Sequence, residues 1–224
     1  MSPDLGADAR LPRLEAAAAK LQLELPDGSA GRLLAFTDLL RRWNGTYNLT
    51  AVRDPGEMLV QHLFDCLAVV APLGRELTRR PARLLDVGSG GGLPGVVLAV
   101  LLPDLDVTCV DTVGKKAAFI RQAGVELGLR NLHAEHSRVE TLRVAPFDVV
   151  SSRAFASLAD FTRLTHRHLA EAGIWMAMKG KLPDDEITAL PADIDVFHVE
   201  PLTVPELDAE RCLVWMRPRQ VVRL

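Results

Sequence analysis

Apolar positions recur at helical spacing through the first third of the chain. Leu11, Leu14, Ala18 and Leu21 form one stripe, and Leu33, Phe36, Leu40 and Trp43 form a second. Pro26, Asp27 and Gly28 separate them, a combination that stops one helix before the next begins. Asn44 to Thr50 breaks the periodicity and reads as irregular. Pro55 and Gly56 mark a turn, and Met58 to Val70 resumes a helical stripe that carries His62 and Asp65 three residues apart, close enough to pair on one face. Residues 1–80 therefore read as a helical N-terminal extension. From Arg83 the texture changes to short apolar runs alternating with amphipathic segments, the pattern of strand and helix units over a parallel sheet. Strands are predicted near 83–87, 106–110, 131–136, 147–151 and 174–178, with helices between them. Two further apolar segments, around Val196 and at Leu213 to Met216, predict a hairpin that closes the sheet. Residues 81–224 then form a Rossmann-like, doubly wound, mostly parallel α/β core with a C-terminal antiparallel hairpin.

Composition narrows the class. The chain has 224 residues, 48% hydrophobic and 25% charged, values of an ordinary globular protein able to bury a large core. The N-terminal segment lacks the basic-then-apolar order of a signal peptide, and no stretch reads as the roughly 20 apolar residues of a membrane span, so a cytoplasmic protein is expected. Cys66, Cys109 and Cys212 are odd in number, widely spaced and set among apolar neighbours; buried thiols are expected, with neither a disulfide framework nor a metal site. A net charge of −3 argues against a surface that is basic throughout but leaves room for a local basic face.

The sharpest chemical signal is LLDVGSGGGLPG, Leu84 to Gly95, where a predicted strand runs into a helix. Glycines at 88, 90, 91, 92 and 95 require a tight turn with exposed backbone amides, and Pro94 suits the start of the helix that follows. Gly90, Gly92 and Gly95 satisfy the spacing of a dinucleotide turn, which keeps a nicotinamide-dependent oxidoreductase in view. Asp86 weighs against it: a carboxylate beside the turn repels a pyrophosphate and attracts an amine. The zwitterionic methionine end of S-adenosyl-L-methionine suits an acid next to free amides. Asp111 ends the second predicted strand, where a ribose-binding carboxylate belongs in either cofactor class; as a helix cap it would serve structure alone. Further on, Ser137 to Glu140 can supply a backbone donor and a carboxylate to an adenine edge, although Glu140 alone fits equally a solvated acid at a helix start.

Four stretches make the chain resemble the bacterial 16S rRNA guanine-N7 methyltransferase family, small-subunit rRNA methyltransferase G, also called glucose-inhibited division protein B. They are RRWNGTYNLTAVRDPGEMLVQHLFDCL (41–67), LLDVGSGGGLPG (84–95), SRVETL with FDVVSSRAFASL (137–158), and MKGKLPDDEI (178–187). The resemblance implies a class I S-adenosylmethionine-dependent methyltransferase fold and methyl transfer to N7 of a guanine in the decoding-site region, the 530 loop, of 16S rRNA. It carries cofactor roles onto Gly88, Leu93, Asp111, Val139, Glu140 and Arg153, with Thr112 and Val113 lining the adenosine pocket; Asp86, Gly90 and Gly92 are added to the candidate cofactor residues from the reading of the turn itself. It further implies 16S rRNA or the small ribosomal subunit as partner, no membrane, no DNA, and a monomer. The chain departs from the family at Gly91, where proline or alanine is common, and at Cys212, where a histidine is usual.

Guanine N7 has an exposed lone pair and loses no proton on methylation, so the absence of an acid–base dyad is no objection. Arg153, at the end of the fourth predicted strand, is the first choice for a critical residue, able to bind the cofactor carboxylate or guanine O6. Arg41, Arg42, Lys115, Lys116, Lys179 and Lys181 are candidate RNA contacts, each of them otherwise a solvated cation. A silent RNA-binding or ribosome-assembly protein on the same scaffold is the reading from another class.

Overall fold

The computed structural model describes residues 9–77, 81–153 and 155–219. The two helical stripes become α1, Arg10–Lys20, and α2, Ser29–Tyr47. Gly28 enters α2 with φ +71°, a backbone open to glycine, and Asn48 leaves it with φ +49°, the left-handed cap common at helix C-termini. The second helix thus absorbs Asn44 to Tyr47, and only the residues beyond it are irregular. Asp54 caps the next helix by accepting the Glu57 N–H at 2.9 Å, ahead of Pro55 at the first helical position. From there a helical run continues as α3 (Pro55–Met58), a π-helical stretch Leu59–Phe64, α4 (Asp65–Leu67) and α5 (Val70–Glu76).

That run, Pro55–Glu76, spans 22 residues and is long and apolar enough to cross a membrane, contrary to the expectation from sequence. Its most apolar window is 72% buried against the rest of the fold, which makes it a core helix. Leu59, Leu63, Phe64, Cys66, Leu67, Val69 and Leu73 are all packed inside.

Seven strands follow: β1 (Ala82–Val87), β2 (Leu105–Asp111), β3 (Leu132–His136), β4 (Phe147–Arg153), β5 (Leu169–Lys179), β6 (Ile194–Pro201) and β7 (Cys212–Pro218). They lie in the order β3-β2-β1-β4-β5-β7-β6. The first five pair in parallel, and β7 pairs antiparallel with β5 and β6, giving the hairpin that the last apolar segments predicted. Helices α6 (Gly95–Leu101), α7 (Gly114–Glu126), α8 (Leu158–Thr165) and α9 (Asp184–Thr188) connect them.

Alternating residues of the central strands feed two cores, as the two-residue period of a strand requires. Leu84, Val149, Met176, Leu213 and Trp215 join Leu14, Leu33, Phe36, Phe64, Val97 and Phe119 on the side of the N-terminal helices. Leu85, Val150, Trp175, Val214 and Met216 join Leu158 and Phe161 on the other face. The N-terminal helices and one sheet face therefore share a single core. The three cysteines are free and buried. Chain order reverses between β1 and β4, so the connections leaving their carboxyl ends diverge and open a crevice there.

Candidate cofactor and substrate cleft

The glycine turn fills the floor of that crevice. Gly88, Gly90 and Gly92 have φ of +67°, +57° and +79°, which side chains resist. Most of the turn's amides are used inside the protein, unlike the exposed set that the sequence suggested. Gly88 N–H donates to Val110 O at 2.9 Å, Gly92 and Leu93 N–H to Ser89 O, and Gly90 N–H to Asp111 Oδ2 at 3.0 Å. Asp111 also accepts the Val113 N–H through Oδ1 at 2.9 Å and faces Lys116 Nζ at 3.6 Å. The acid at the end of β2 thus fixes the turn that leaves β1.

Two chambers meet at Gly88. The first, of about 340 Å³, is lined by Asp111, Thr112, Val113, Lys116, Val139, Glu140 and Phe155 among others. It brings together the acid, the pair after it and the turn that follows β3, as the sequence placed them. The N–H of Glu140 itself holds that carboxylate below its ordinary pKa, keeping it an ionised acceptor. The Phe155 ring lies so close to Gly88 that a Cβ there would come within 2.8 Å of its Cδ2.

The second chamber, of about 590 Å³, is lined by Gly88 to Gly91, Leu93, Arg153 and Lys179 from the sheet side, and by Leu40, Thr50, Gln61, His62 and Asp65 from the N-terminal helices, with Arg211 at its edge. Arg153 donates through Nη1 to Asp65 Oδ2 at 3.2 Å and to Gln61 O at 3.3 Å. Arg211 donates through Nε to the other oxygen of Asp65 at 2.9 Å. Asp65 does not pair with His62; the histidine instead meets Thr50 Oγ1 at 2.7 Å. Burial, helped by the Arg153 charge, lowers the His62 pKa and keeps the ring neutral.

Several expected site residues sit elsewhere. Asp86 is fully buried beneath the start of α6, where Oδ2 accepts the Gly95 N–H at 3.1 Å and Oδ1 the Ser151 hydroxyl at 3.2 Å. It lines neither chamber, and its carboxylate braces the turn from below. Gly92 is likewise structural, facing Val96 and Ile120. Lys116 belongs to the smaller chamber through Asp111, and Lys179 is held by both Glu186 oxygens and Ala156 O, so neither is a free phosphate contact. Arg41, Lys115 and Lys181 are exposed, and Arg42 is exposed and paired with Glu126 at 3.2 Å. The arginine missed from sequence is Arg211: it lies 58 positions after Arg153 in a segment with no motif of its own, and only the β5–β7 pairing brings it to the cleft.

The strand order and the glycine turn with its β2 acid define the class I S-adenosylmethionine-dependent methyltransferase fold. A crystal structure of a SAM-dependent methyltransferase from Aquifex aeolicus has the same architecture, with a TM-score of 0.55 at 16% identity over 73% of this chain and 93% of that one. The sequence profile of the family described as rRNA small subunit methyltransferase G matches residues 30–214, and the chain belongs to that family. It is 63% identical over 208 residues to the ribosomal RNA small subunit methyltransferase G of Leptothrix cholodnii, covering 93% of this chain and 95% of that one. It is 62% identical over 206 residues to the protein of the same name from Acidovorax ebreus, covering 88% and 91%.

Proposed function

We propose that this chain transfers a methyl group from S-adenosylmethionine to N7 of a guanine in the decoding-site region, the 530 loop, of 16S rRNA. The observation that carries the reading is the pair of chambers joined at Gly88, one lined by Asp111, Val139 and Glu140 and the other by Arg153 and Arg211. Gly88 is the test of fit: without a Cβ it leaves an elongated ligand room to pass between the chambers beside Phe155. Asp111, Thr112, Val113, Val139 and Glu140 would hold the nucleoside end, and Gly88, Gly90 and Leu93 the amino-acid end. When bound, the cofactor supplies an electrophilic methyl group on a sulfonium.

Guanine N7 needs no base to activate it, so the protein's task is to orient the purine and exclude water. Arg153, tethered by Asp65 and Gln61 O, is set to orient the acceptor. The neutral His62 and the apolar Leu40, Leu49, Leu93 and Met178 shape the wall without adding charge. Residues 1–80 read as an extension that completes the cleft of an 81–224 core. Arg41, Arg42, Lys115 and Lys181 are assigned to the RNA backbone. We read the active form as a cytoplasmic monomer whose partner is 16S rRNA or the small ribosomal subunit. Membership of the methyltransferase family does not favour the nicotinamide alternative.

Transfer of labelled methyl from S-adenosylmethionine to small subunits or naked 16S RNA, followed by mapping of the base, tests the reading. Label at guanine N7 in the 530 loop is expected. Cofactor binding without any label in the RNA would remove the substrate assignment and favour the silent scaffold.

A further inference from the structure

We propose that Asp65 and the two arginines it bridges, Arg153 and Arg211, select guanine by presenting donors to its O6. This rests on the guanine-N7 reading above. On the edge that must react, guanine offers two acceptors, N7 and O6, whereas adenine offers N7 and an amino donor. An arginine bonded to both acceptors would cover the lone pair that attacks, so the base has to be recognised at O6 alone.

The cleft is built for such one-sided recognition. The Asp65 side chain is only 4% exposed and each of its oxygens holds one guanidinium, Arg153 at 3.2 Å and Arg211 at 2.9 Å. Gln61 O, in the π-helical stretch that carries Asp65 on its carboxyl side, holds Arg153 a second time. π-helical turns of this kind are frequent at functional sites. The arginines are 25% and 26% exposed and line the larger chamber. Among the described residues, Nε and Nη2 of Arg153 and Nη2 of Arg211 have no hydrogen-bond partner, so three donors of two fixed cations remain for the chamber. An adenine would set its amino donor against them.

Asp65 has a second consequence. The purine becomes cationic as N7 is methylated, and two uncompensated guanidinium charges would oppose that step. One carboxylate between them reduces the trio to a single positive charge. Asp65 is thus a positioning residue that also moderates the field, while Arg153 and Arg211 are the groups that touch the base.

The test uses the whole protein and small subunits reconstituted with 16S RNA in which the target guanine is replaced. Inosine keeps N7 and O6; 2-aminopurine keeps N7 and lacks O6. The wild type is expected to methylate inosine within about threefold of guanine and 2-aminopurine at least about tenfold more slowly. Asp65→Asn should lower kcat about tenfold with KM for RNA little changed, and narrow the inosine to 2-aminopurine ratio. Arg211→Gln, which leaves the Arg153–Asp65 pair in place, should narrow the same ratio. Equal rates on the two analogues with the wild type would overturn the proposal, as would a folded Asp65→Asn protein that keeps full discrimination. If even the guanine RNA takes no label, the methylation reading fails instead. The relative affinities of the substituted RNAs, measured without cofactor, then decide the arginine pair: tighter binding of the inosine RNA supports it and equal binding overturns it.

Discussion

Three glycines of one turn separate backbone strain from steric crowding. Gly90 has φ +57°, and a Cβ there would meet nothing nearer than Gly88 O at 3.9 Å, so Gly90→Ala carries strain alone. Gly95 has no left-handed backbone, but a Cβ would overlap Cys109 Sγ and lie 3.0 Å from Asp86 Oδ2, so Gly95→Ala carries crowding alone. Gly92 combines φ +79° with a Cβ position 2.6 Å from Val96 Cγ2 and 3.2 Å from Ile120 Cγ1. Left-handed backbone costs an alanine about 1–2 kcal/mol, and overpacking about 1–3 kcal/mol. Alanine returns about 0.4–1 kcal/mol by restricting the unfolded chain. Losses of about 1 kcal/mol are thus expected for Gly90→Ala, about 1–2 kcal/mol for Gly95→Ala and about 2–4 kcal/mol for Gly92→Ala. Equilibrium urea denaturation reads these directly, and for a chain of this size each kcal/mol lowers the thermal midpoint by about 2–4 °C. Replacing Cys109 with alanine in the Gly95→Ala background should recover part of the loss, because the colliding sulfur is gone. Gly90 lines the chamber and Gly92 does not, so Gly90→Ala should weaken cofactor binding more than its small stability loss suggests. A Gly92→Ala protein no less stable than Gly90→Ala would refute the reasoning.

The buried Asp86 makes stability depend on pH. Burial, partly offset by the Gly95 N–H and Ser151 hydroxyl, pushes its pKa up to about 7. The native state therefore holds this proton between about pH 4 and pH 7 while the unfolded chain has lost it, so stability falls as pH rises through that window and levels off above it. Asp86→Asn should flatten that slope in denaturation curves recorded from pH 4 to 8; an unchanged slope would assign it to other groups. Asp111→Ala removes the acceptor of the Gly90 and Val113 amides, and is expected to cost about 1–3 kcal/mol and to abolish cofactor binding in equilibrium dialysis. Phe155→Ala should cost less than the 3–5 kcal/mol typical of a buried phenylalanine, because the residue is 37% exposed, yet weaken cofactor binding by removing a chamber wall. Asn44→Ala should cost about 2 kcal/mol, since its buried amide bonds both Val52 O and Thr50 N–H, and calorimetry would show it.

Legibility followed the range of the interactions. Strands β1, β2, β4 and the second half of β5 could be read because each carries a short apolar run, the trace of a sheet buried on both faces, whereas the edge strand β3, LHAEH, is mostly exposed. The glycine turn, Asp111 and the Val139–Glu140 turn lie at successive strand ends, so topology alone carries them to one crevice. Asp86 misled because charge complementarity does not reveal direction: on a strand buried on both faces, its carboxylate points under α6 and finds its partners in the backbone of Gly95 and the hydroxyl of Ser151. Spacing suggested a His62–Asp65 pair. The π-helical stretch ends between them, and each residue finds another partner, His62 the Thr50 hydroxyl beside it and Asp65 the two arginines across the cleft. The apolar length of Pro55–Glu76 was concealed by Gln61, His62 and Asp65, whose polar groups all face this one site.

The N-terminal helices are for this reason part of the cleft and not an ornament on it. A methyltransferase core by itself would present Arg153 on a free strand end, and an unpaired guanidinium there would sample many positions at the expense of orienting any base. In this chain the strand end is met by a helical run packed into the same core as the sheet. Its π-helical stretch and Asp65 fix the guanidinium at two points. The run is in turn held by Thr50, whose hydroxyl meets His62 while its N–H is taken by Asn44. A change at Asn44, with no contact to Arg153, is therefore connected to it by hydrogen bonds through Thr50 to His62 and then by the backbone of the adjoining Gln61, whose O accepts from Arg153.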